Sequence, residues 1–151
     1  AAIPYLRKSN GAAIVMVGSL AGRAPLQGAA TYSATKAGLR SFTYAIADEL
    51  KPYGINVGVV SPGPIDTGFI MDEIDYVEDI VFSQPMSTAD QVAKAIMAIA
   101  AGPQNEISMP KVSGWLTTIS YLFPRLRRRL RPTLYKIGSK NKEKYRHRSR
   151  S

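Results

Sequence analysis

Residues 14–36 read IVMVGSLAGRAPLQGAATYSATK, and this stretch decides the predicted fold. Its first four residues form an apolar, β-branched run that is typical of a buried strand, and Gly18-Ser19 ends that run. A loop rich in glycine and proline follows, and a helix is expected to begin near Thr31. The stretch therefore predicts a strand, a loop and a helix, with polar side chains near the end of the strand.

Three of these polar residues form a pattern that suits proton transfer. Tyr32 and Lys36 are four residues apart, so they lie on one face of the predicted helix, one turn from each other. An ammonium group at that distance favours the phenolate form of a tyrosine, which helps the phenol to give or take a proton. Ser19 can hold a substrate oxygen and stabilise charge on it. Since no side chain supplies a hydride, the chemistry requires a redox cofactor such as a nicotinamide.

The Tyr-x-x-x-Lys spacing has a plain structural interpretation as well. Tyrosine and lysine are common on helix surfaces, where the ring packs on the lysine stem. A second motif therefore matters. Ile55 to Val60 predicts another buried strand, joined in parallel through the helix, and 61–68 read SPGPIDTG. In open α/β sheets, ligands bind at the edge where such loops follow the strands.

Together these segments resemble the active-site region of the short-chain dehydrogenase/reductases. The carriers of the resemblance are Gly-Ser-Leu-Ala-Gly at 18–22, Tyr-Ser-Ala-Thr-Lys-Ala-Gly at 32–38 and Pro-Gly-x-x-x-Thr at 62–67. By this resemblance the catalytic residues are Ser19, Tyr32 and Lys36. The resemblance also implies NAD or NADP as cofactor, with the nicotinamide ribose on Lys36 and the carboxamide on Ile65 and Thr67. The residues that it assigns to cofactor binding are Tyr32, Lys36, Pro62, Gly63, Ile65 and Thr67.

The resemblance implies an α/β fold with a doubly wound parallel sheet, three-layered and Rossmann-like. It covers residues 1 to about 110. The family's Gly-rich phosphate loop, its Asn-Asn-Ala-Gly-type segment and its usual catalytic asparagine belong upstream, and the sequence contains none of them. We therefore expect residues 1–112 to be the second half of such a catalytic domain, without the N-terminal nucleotide-binding half. Residues 113–151 are expected to form a basic amphipathic tail.

The region between the second strand and the tail predicts three further elements. Residues 69–86 mix acidic and apolar side chains, which indicates a mobile helical lid over a substrate pocket or a solvated amphipathic helix. Thr88 or Ser87 is expected to cap a helix that Gly102-Pro103 ends; its apolar set is Val92, Ala95, Ile96 and Ile99. Residues 106–110 are short and extended, so they predict a last strand.

The predicted helix from Thr31 to Pro52 is apolar on more than one side. Such a helix usually has two partners. In the family that the chain resembles, the equivalent helix packs in a four-helix interface between subunits, which favours a homodimer or homotetramer. A well-buried core helix would show the same pattern.

Composition and charge limit the function classes. The chain has 151 residues, no cysteine and a formal net charge of +9. Without cysteine it has neither disulfides nor thiolate metal sites, and its one histidine, His147, lies in a polar tail, so no metal site is predicted. We see no signal peptide and no apolar run of about 18 residues, the minimum for a membrane span. A cytoplasmic protein is expected.

The positive charge belongs to the C-terminal tail. Residues 123–151 contain twelve basic side chains against Glu143 alone, whereas the other 122 residues carry a net charge of −2. Apolar residues recur every three or four positions over 115–137 with arginines between them, a profile typical of an interfacial helix on anionic lipid. Pro124 and Pro132 are expected to break it into short pieces. The alternatives are a helix docked on its own domain with a disordered basic end, and nucleic-acid binding, although no recognised nucleic-acid-binding fold accompanies the charge.

The sequence therefore favours an NAD(P)-dependent oxidoreductase that interconverts a hydroxyl and a carbonyl group. The tail suggests a lipophilic, lipid-like small-molecule substrate and peripheral contact with a membrane. The alternative is a non-catalytic protein that binds a membrane surface or nucleic acid through a degenerate scaffold of the same kind.

Overall fold

The computed structural model describes residues 1–149; Arg150 and Ser151, the end of the predicted basic tail, lie outside the described residues. Three parallel strands form one sheet in the order β1-β2-β3: Ala13–Val17, Asn56–Pro62 and Glu106–Met109. The register pairs Ile14 with Val57 and Val60 with Ile107. All three strands consequently end at the same edge of the sheet.

Six helices surround the sheet in the described part of the chain. They are α1 (Ile3–Leu6), α2 (Ala30–Leu50), α3 (Gly68–Met71), α4 (Ala89–Ala101), α5 (Lys111–Leu122) and α6 (Pro124–Ser149). Short 3₁₀ turns occupy Leu20–Gly22, Lys51–Tyr53 and Asp79–Ser83. The helix predicted over 31–52, the last strand and the helix between them are thus confirmed to within a few residues.

The two crossover helices lie on opposite faces of the sheet. Ile14 and Val57 pack with Leu50 of α2. Val60 and Ile107 pack with Ile99 of α4, on the opposite face of the sheet. Alternate residues of a strand point to opposite faces, so this separation defines three layers. The predicted Rossmann-like α/β architecture is confirmed.

The two crossovers have opposite hands. Both step across the sheet in the same direction, from β1 to β2 and from β2 to β3, yet their helices are on different faces. Parallel crossovers are almost always right-handed, so one of the two departs from the rule.

The cap of α4 is the one that the sequence predicts. The Thr88 side chain accepts from the Gln91 N–H, and the Gln91 side chain accepts from the Thr88 N–H, which forms a capping box. Gly102 ends the helix, and Val92, Ala95 and Ile99 are buried.

Residues 69–86 are not the helix that the sequence predicts. After the single turn α3 the chain is irregular until the 3₁₀ turn Asp79–Ser83. The carbonyls of Asp75 and Val77 accept hydrogen bonds from the Lys142 ammonium of α6. These carbonyls therefore accept hydrogen bonds from the ammonium of another element instead of from the backbone N–H groups of a helix.

The tail forms two helices and not several short pieces. Pro124 separates α5 from α6 as predicted, but the prediction of a break at Pro132 is wrong, because α6 continues through it. Proline removes one intrahelical hydrogen bond, and because Arg128 and Pro132 are both exposed, water can solvate the freed Arg128 carbonyl. Among residues 1–149, none of the helices is both long enough and apolar enough to cross a membrane.

The C-terminal half of α6 docks closely on the 3₁₀ turn Asp79–Ser83. A β-carbon built on Gly138 would lie 1.9 Å from the carbonyl oxygen of Asp79, so only a glycine permits this approach. Phe82 is fully buried, and its ring centroid lies 6.0 Å from that of Tyr145.

Replacing Gly138 with alanine should destabilise the protein although alanine is the better helix former. The clash with the Asp79 carbonyl should outweigh the gain of about 1 kcal/mol in helix propensity and lower the free energy of unfolding by about 2 kcal/mol. Gly38→Ala is the matched control, because a β-carbon there has no neighbour within 4 Å, and it should be neutral or stabilising. Urea unfolding followed by circular dichroism measures both; equal effects would contradict the docking.

Candidate active site

The candidate residues occupy two loops at the carboxyl edge of the sheet. One loop follows β1 and begins at Ser19, and the other follows β2 and runs from Gly63 to Thr67. The loops adjoin, because a β-carbon built on Gly63 would lie 3.3 Å from the Leu20 Cδ1 atom. The structure thus brings both predicted motifs to one edge, where parallel α/β sheets bind their ligands.

Ser19 turns the chain at the end of β1. Its backbone is extended, with φ −165° and ψ 154°, and its Oγ accepts a hydrogen bond of 3.1 Å from the Ala21 N–H. The side chain thereby caps the 3₁₀ turn Leu20–Gly22. Because the Oγ accepts in this bond, its hydroxyl hydrogen remains available to a substrate oxygen.

Lys36 reaches from α2 to the end of β1. Its Nζ donates a 2.9 Å hydrogen bond to the Val17 carbonyl, two residues before Ser19. The same Nζ lies 5.8 Å from the centre of the Tyr32 ring. Tyr32 is 40% exposed, and its hydroxyl has no hydrogen-bond partner within residues 1–149. Lys36 therefore links the tyrosine turn of α2 to the serine end of β1.

Close backbone packing fixes this corner. A β-carbon built on Gly22 would lie 2.7 Å from the Lys36 carbonyl carbon, so the turn after Ser19 rests directly on the backbone of α2. Farther along the loop, the Leu26 N–H donates to the buried Ser33 Oγ at 3.1 Å. The loop between the serine and the tyrosine is thus held to α2 at two points.

The loop after β2 has free hydrogen-bonding groups that fit a nicotinamide carboxamide. The Gly63 N–H donates to Met109 at 2.7 Å, and the Asp66 N–H donates to Ser87 at 2.8 Å. In contrast, neither the Ile65 N–H nor the Thr67 hydroxyl has a partner within residues 1–149. A carboxamide offers one acceptor and two donors, which an amide N–H and a hydroxyl can match.

A buried ionic cluster below this corner escaped the sequence analysis. Glu106, on β3, is 9% exposed and accepts from Arg23, which follows the Ser19 turn, and from Arg40 at 2.8 Å. Tyr44 and Ser61 each donate to it at 2.7 Å. The carboxylate therefore ties together the loop after β1, helix α2 and strands β2 and β3.

The cluster has strong electrostatic consequences. Burial opposes ionisation of the Glu106 carboxyl, but the hydrogen bonds from Arg40, Arg23, Ser61 and Tyr44 outweigh it and lower its pKa from 4.5 to about 2. Burial, followed by the hydrogen bond to Glu106, raises the pKa of Tyr44. Hydrogen bonding to Glu106 raises that of Arg40 against the effect of burial.

The sequence contains one signal for this cluster. Tyr32, Lys36, Arg40 and Tyr44 repeat every four residues, so the polar row of α2 continues one turn beyond Lys36 and another beyond that. Glu106 is the acidic residue of a strand that is otherwise uncharged. On these grounds the sequence could have predicted an ion pair between the polar row of α2 and Glu106.

Two clefts in the described part of the chain lie away from the candidate residues. One of about 500 Å³ lies beside Glu106 and Trp115, and one of about 450 Å³ lies between Gln84 and Tyr145. Tyr32 and Val17 are exposed at this edge, at 40% and 43%, whereas Ser19 and Lys36 are half-buried. Among the described residues, no group of three or more acidic, histidine or cysteine side chains could hold a metal ion.

Comparison with known proteins gives consistent matches. The family model for short chain dehydrogenases matches residues 1–76. An acetoacetyl-CoA reductase of Allochromatium vinosum is 34% identical over 91 residues, which cover 58% of this chain and 37% of that protein. An 11-beta-hydroxysteroid dehydrogenase-like 2 protein of Arabidopsis thaliana is 32% identical over 127 residues, 83% of this chain and 40% of that protein.

A solved structure extends the match to the fold. A short chain dehydrogenase from Burkholderia cenocepacia J2315, in complex with NADP, superposes with a TM-score of 0.66 at 27% sequence identity. The match covers 85% of this chain and 51% of that one. The chain thus spans 37–40% of the two curated relatives and half of the solved structure.

Replacing Glu106 with glutamine should lower the free energy of unfolding at pH 7 by on the order of 3 kcal/mol, because Arg23 and Arg40 lose their buried counter-charge. The folded-state pKa lies below 4.5, so the carboxylate stabilises the protein fully above pH 4.5 and loses this effect as the pH falls towards 2. The difference between wild type and Glu106→Gln should shrink over that range.

The matched control for this substitution is Asp90→Asn. Asp90 pairs with Lys94 at 2.7 Å, but both side chains are at least 70% exposed. Its loss should change the free energy of unfolding by roughly 0.5 kcal/mol at pH 7. Urea unfolding at several pH values measures both variants, and equal losses would show that the Glu106 cluster is not the strong link described above.

Proposed function

Because the chain belongs to the short-chain dehydrogenase family, we propose that the protein is an NAD(P)-dependent oxidoreductase that interconverts a hydroxyl and a carbonyl group. The observation that carries the proposal is the Lys36 bridge. Its ammonium binds the end of β1 beside the Ser19 turn while lying one helical turn from Tyr32. The arrangement gathers a hydroxyl, a phenol and a cation at the carboxyl edge of the sheet.

Each residue has a distinct role in this proposal. Tyr32 gives a proton to the substrate oxygen or takes one from it, which its exposed and unpartnered hydroxyl permits. Ser19 donates to the same oxygen and stabilises the charge that develops there. Lys36 keeps a positive charge beside the phenol. Among the described residues its ammonium donates one hydrogen bond, to the Val17 carbonyl, so its other N–H groups can bind ribose hydroxyls.

The cofactor supplies the hydride, and the chain provides groups that would hold it. Ile65 and Thr67 offer a free N–H and a free hydroxyl to the carboxamide. Pro62 and Gly63 shape the turn that presents them. Since the related structure from Burkholderia cenocepacia contains NADP, both NADP and NAD are tested below.

The proposal assigns residues 1–112 to the catalytic domain and 113–151 to a basic tail that contacts a membrane surface. Large apolar side chains are exposed along the tail, among them Trp115 (75%), Tyr121 (67%) and Leu122 (66%). None of the arginines at 125–131 forms a salt bridge within residues 1–149. Exposed apolar groups next to unpaired arginines favour binding to anionic phospholipid, and with it a lipophilic substrate.

A homo-oligomer is part of the same proposal. Phe42 of α2 is 53% exposed, and Ala34, Ala37 and Ala45 are exposed near it. The adjacent side of α2 packs on the sheet through Ile46 and Leu50. An α2 face that is apolar and uncovered supports packing against a second copy of the chain.

Tyr32→Phe should reduce kcat at least about 100-fold, because phenylalanine cannot transfer the proton. Binding of NADPH or NADH, followed by fluorescence, should change little. The assay uses the protein expressed from its full reading frame, with acetoacetyl-CoA and an 11-ketosteroid as carbonyl probes, since relatives carry those substrate names. Tyr5→Phe, at a residue that is 76% exposed and remote from the edge, is the control. Turnover by Tyr32→Phe at the wild-type rate would show that another group is the acid.

Vesicle co-sedimentation tests the tail. The double variant Trp115→Ser/Leu122→Ser should bind phosphatidylserine-containing vesicles several-fold less than wild type, because it has less apolar surface to bury in the membrane. The matched control is Tyr5→Ser/Met97→Ser, whose side chains are equally exposed (76% and 66%) but lie outside the tail. Equal binding by the two double variants, or equal binding of wild type to pure phosphatidylcholine, would contradict the membrane proposal.

A further inference from the structure

The chain between α3 and α4 crosses both loops of the candidate site. We refer to residues 75–84 as the bridging segment. A β-carbon built on Gly28, in the loop between Ser19 and Tyr32, would lie 2.8 Å from the Glu78 Oε1 atom. One built on Gly63, after β2, would lie 2.9 Å from the Gln84 Nε2 atom. The bridging segment therefore rests on each loop at a glycine.

Helix α6 holds the bridging segment from the outside. The Lys142 Nζ donates to the Val77 carbonyl at 2.6 Å and to the Asp79 Oδ1 atom at 3.1 Å. The Asn141 Nδ2 donates to the Phe82 carbonyl at 2.9 Å. The Tyr135 hydroxyl donates to the Glu78 Oε2 atom at 3.0 Å. Glu78 thus contacts α6 through one oxygen and the Gly28 loop through the other.

The Lys142 contact is a strong constraint. Lys142 is 6% exposed, and a buried ammonium is tolerated only when hydrogen bonds and an opposite charge replace its water. Within residues 1–149 its acceptors all belong to the bridging segment: the carbonyls of Asp75 and Val77 and the carboxylate of Asp79. The ammonium and the three oxygens therefore hold one another in place.

This interface is separate from the cores of the sheet. One core cluster contains residues of β1, β2 and α2, and the other contains residues of the sheet and α4. Within the described chain, no residue of α6 belongs to either. Stabilisation of the sheet by α6 therefore does not explain the buried contact between Lys142 and the bridging segment.

We propose that α6 is a positioning element of the substrate site, in which Lys142 and Tyr135 hold the bridging segment against the Gly28 and Gly63 loops. The inference rests on the proposed function, because it takes the edge beside Ser19 and Tyr32 as the place where substrate binds. Undocking of α6 leaves the serine, tyrosine and lysine in place but frees the segment that covers their two loops. The substrate KM therefore depends on the docking of α6, whereas the positions of the proton-transfer groups do not depend on it.

Lys142→Met tests the proposal with Lys140→Met as the matched control, since Lys140 is an exposed lysine of the same helix. In the protein expressed from its full reading frame, hydrogen exchange at residues 75–84 should become about tenfold faster in Lys142→Met only. With the acetoacetyl-CoA and 11-ketosteroid probes, the substrate KM should rise several-fold while kcat stays near wild type.

A milder variant guards against misfolding of Lys142→Met. Tyr135→Phe removes a single hydroxyl at the Glu78 contact and should show the same changes to a smaller extent, whereas Tyr121→Phe, at a residue that is 67% exposed, should show none. Unchanged exchange at 75–84 in both test variants would overturn the proposal, and so would faster exchange with an unchanged KM. If wild type turns over neither probe, the oxidoreductase proposal fails on its own; the exchange result then still decides whether α6 holds the segment.

Discussion

The Glu106 carboxylate is the constraint on which the geometry of the site depends. Burying a carboxylate is unfavourable unless charged donors surround it, and here two arginines, a tyrosine and a serine do so. These donors come from the Ser19 turn, helix α2 and strand β2. Because each arginine would be left without its counter-charge if its element moved, the cluster fixes the positions of these elements relative to β3. The Lys36 ammonium is thereby held at the Val17 carbonyl, two residues before Ser19.

The same row of α2 serves two purposes at its two ends. Tyr32 and Lys36 lie at the open edge of the sheet, whereas Arg40 and Tyr44 are half-buried on Glu106. The fixed rise of a helix transmits the position of one end to the other. The turn after Ser19 then rests on the Lys36 backbone at Gly22, where no larger residue fits. Two features therefore position the polar residues at this edge: the Glu106 ion cluster and the close backbone packing at Gly22.

Short sequence patterns predicted the strands and most of the helices, but they did not predict the ionic contacts between residues far apart in the chain. The apolar runs at 14–17 and 55–60, the Thr88 cap and the stop at Gly102 are encoded within a few residues, so the sheet and its crossovers could be predicted. Glu106 meets partners 83, 66, 62 and 45 residues away in the chain; the four-residue repeat of α2 marks Arg40 and Tyr44 as one row, but no local pattern assigns that row to a carboxylate on β3. Residues 69–86 mix acidic and apolar side chains, which predicted a helix, but the Asp75 and Val77 carbonyls bind the Lys142 ammonium instead.

The tail shows why a run of charge cannot be interpreted as one feature. Its C-terminal half neutralises the acidic bridging segment, with Lys142 on Asp79 and Arg146 on Asp75 at 2.6 Å. Its N-terminal half, over 125–131, has no acidic partner within residues 1–149 and lies next to exposed apolar side chains. Charges that are separated by more than about 8 Å in salt solution scarcely interact, so the paired half does not cancel the field of the unpaired half. Helix α6 therefore holds the bridging segment at one end and presents a basic, apolar surface at the other, and the helix is continuous between them through Pro132.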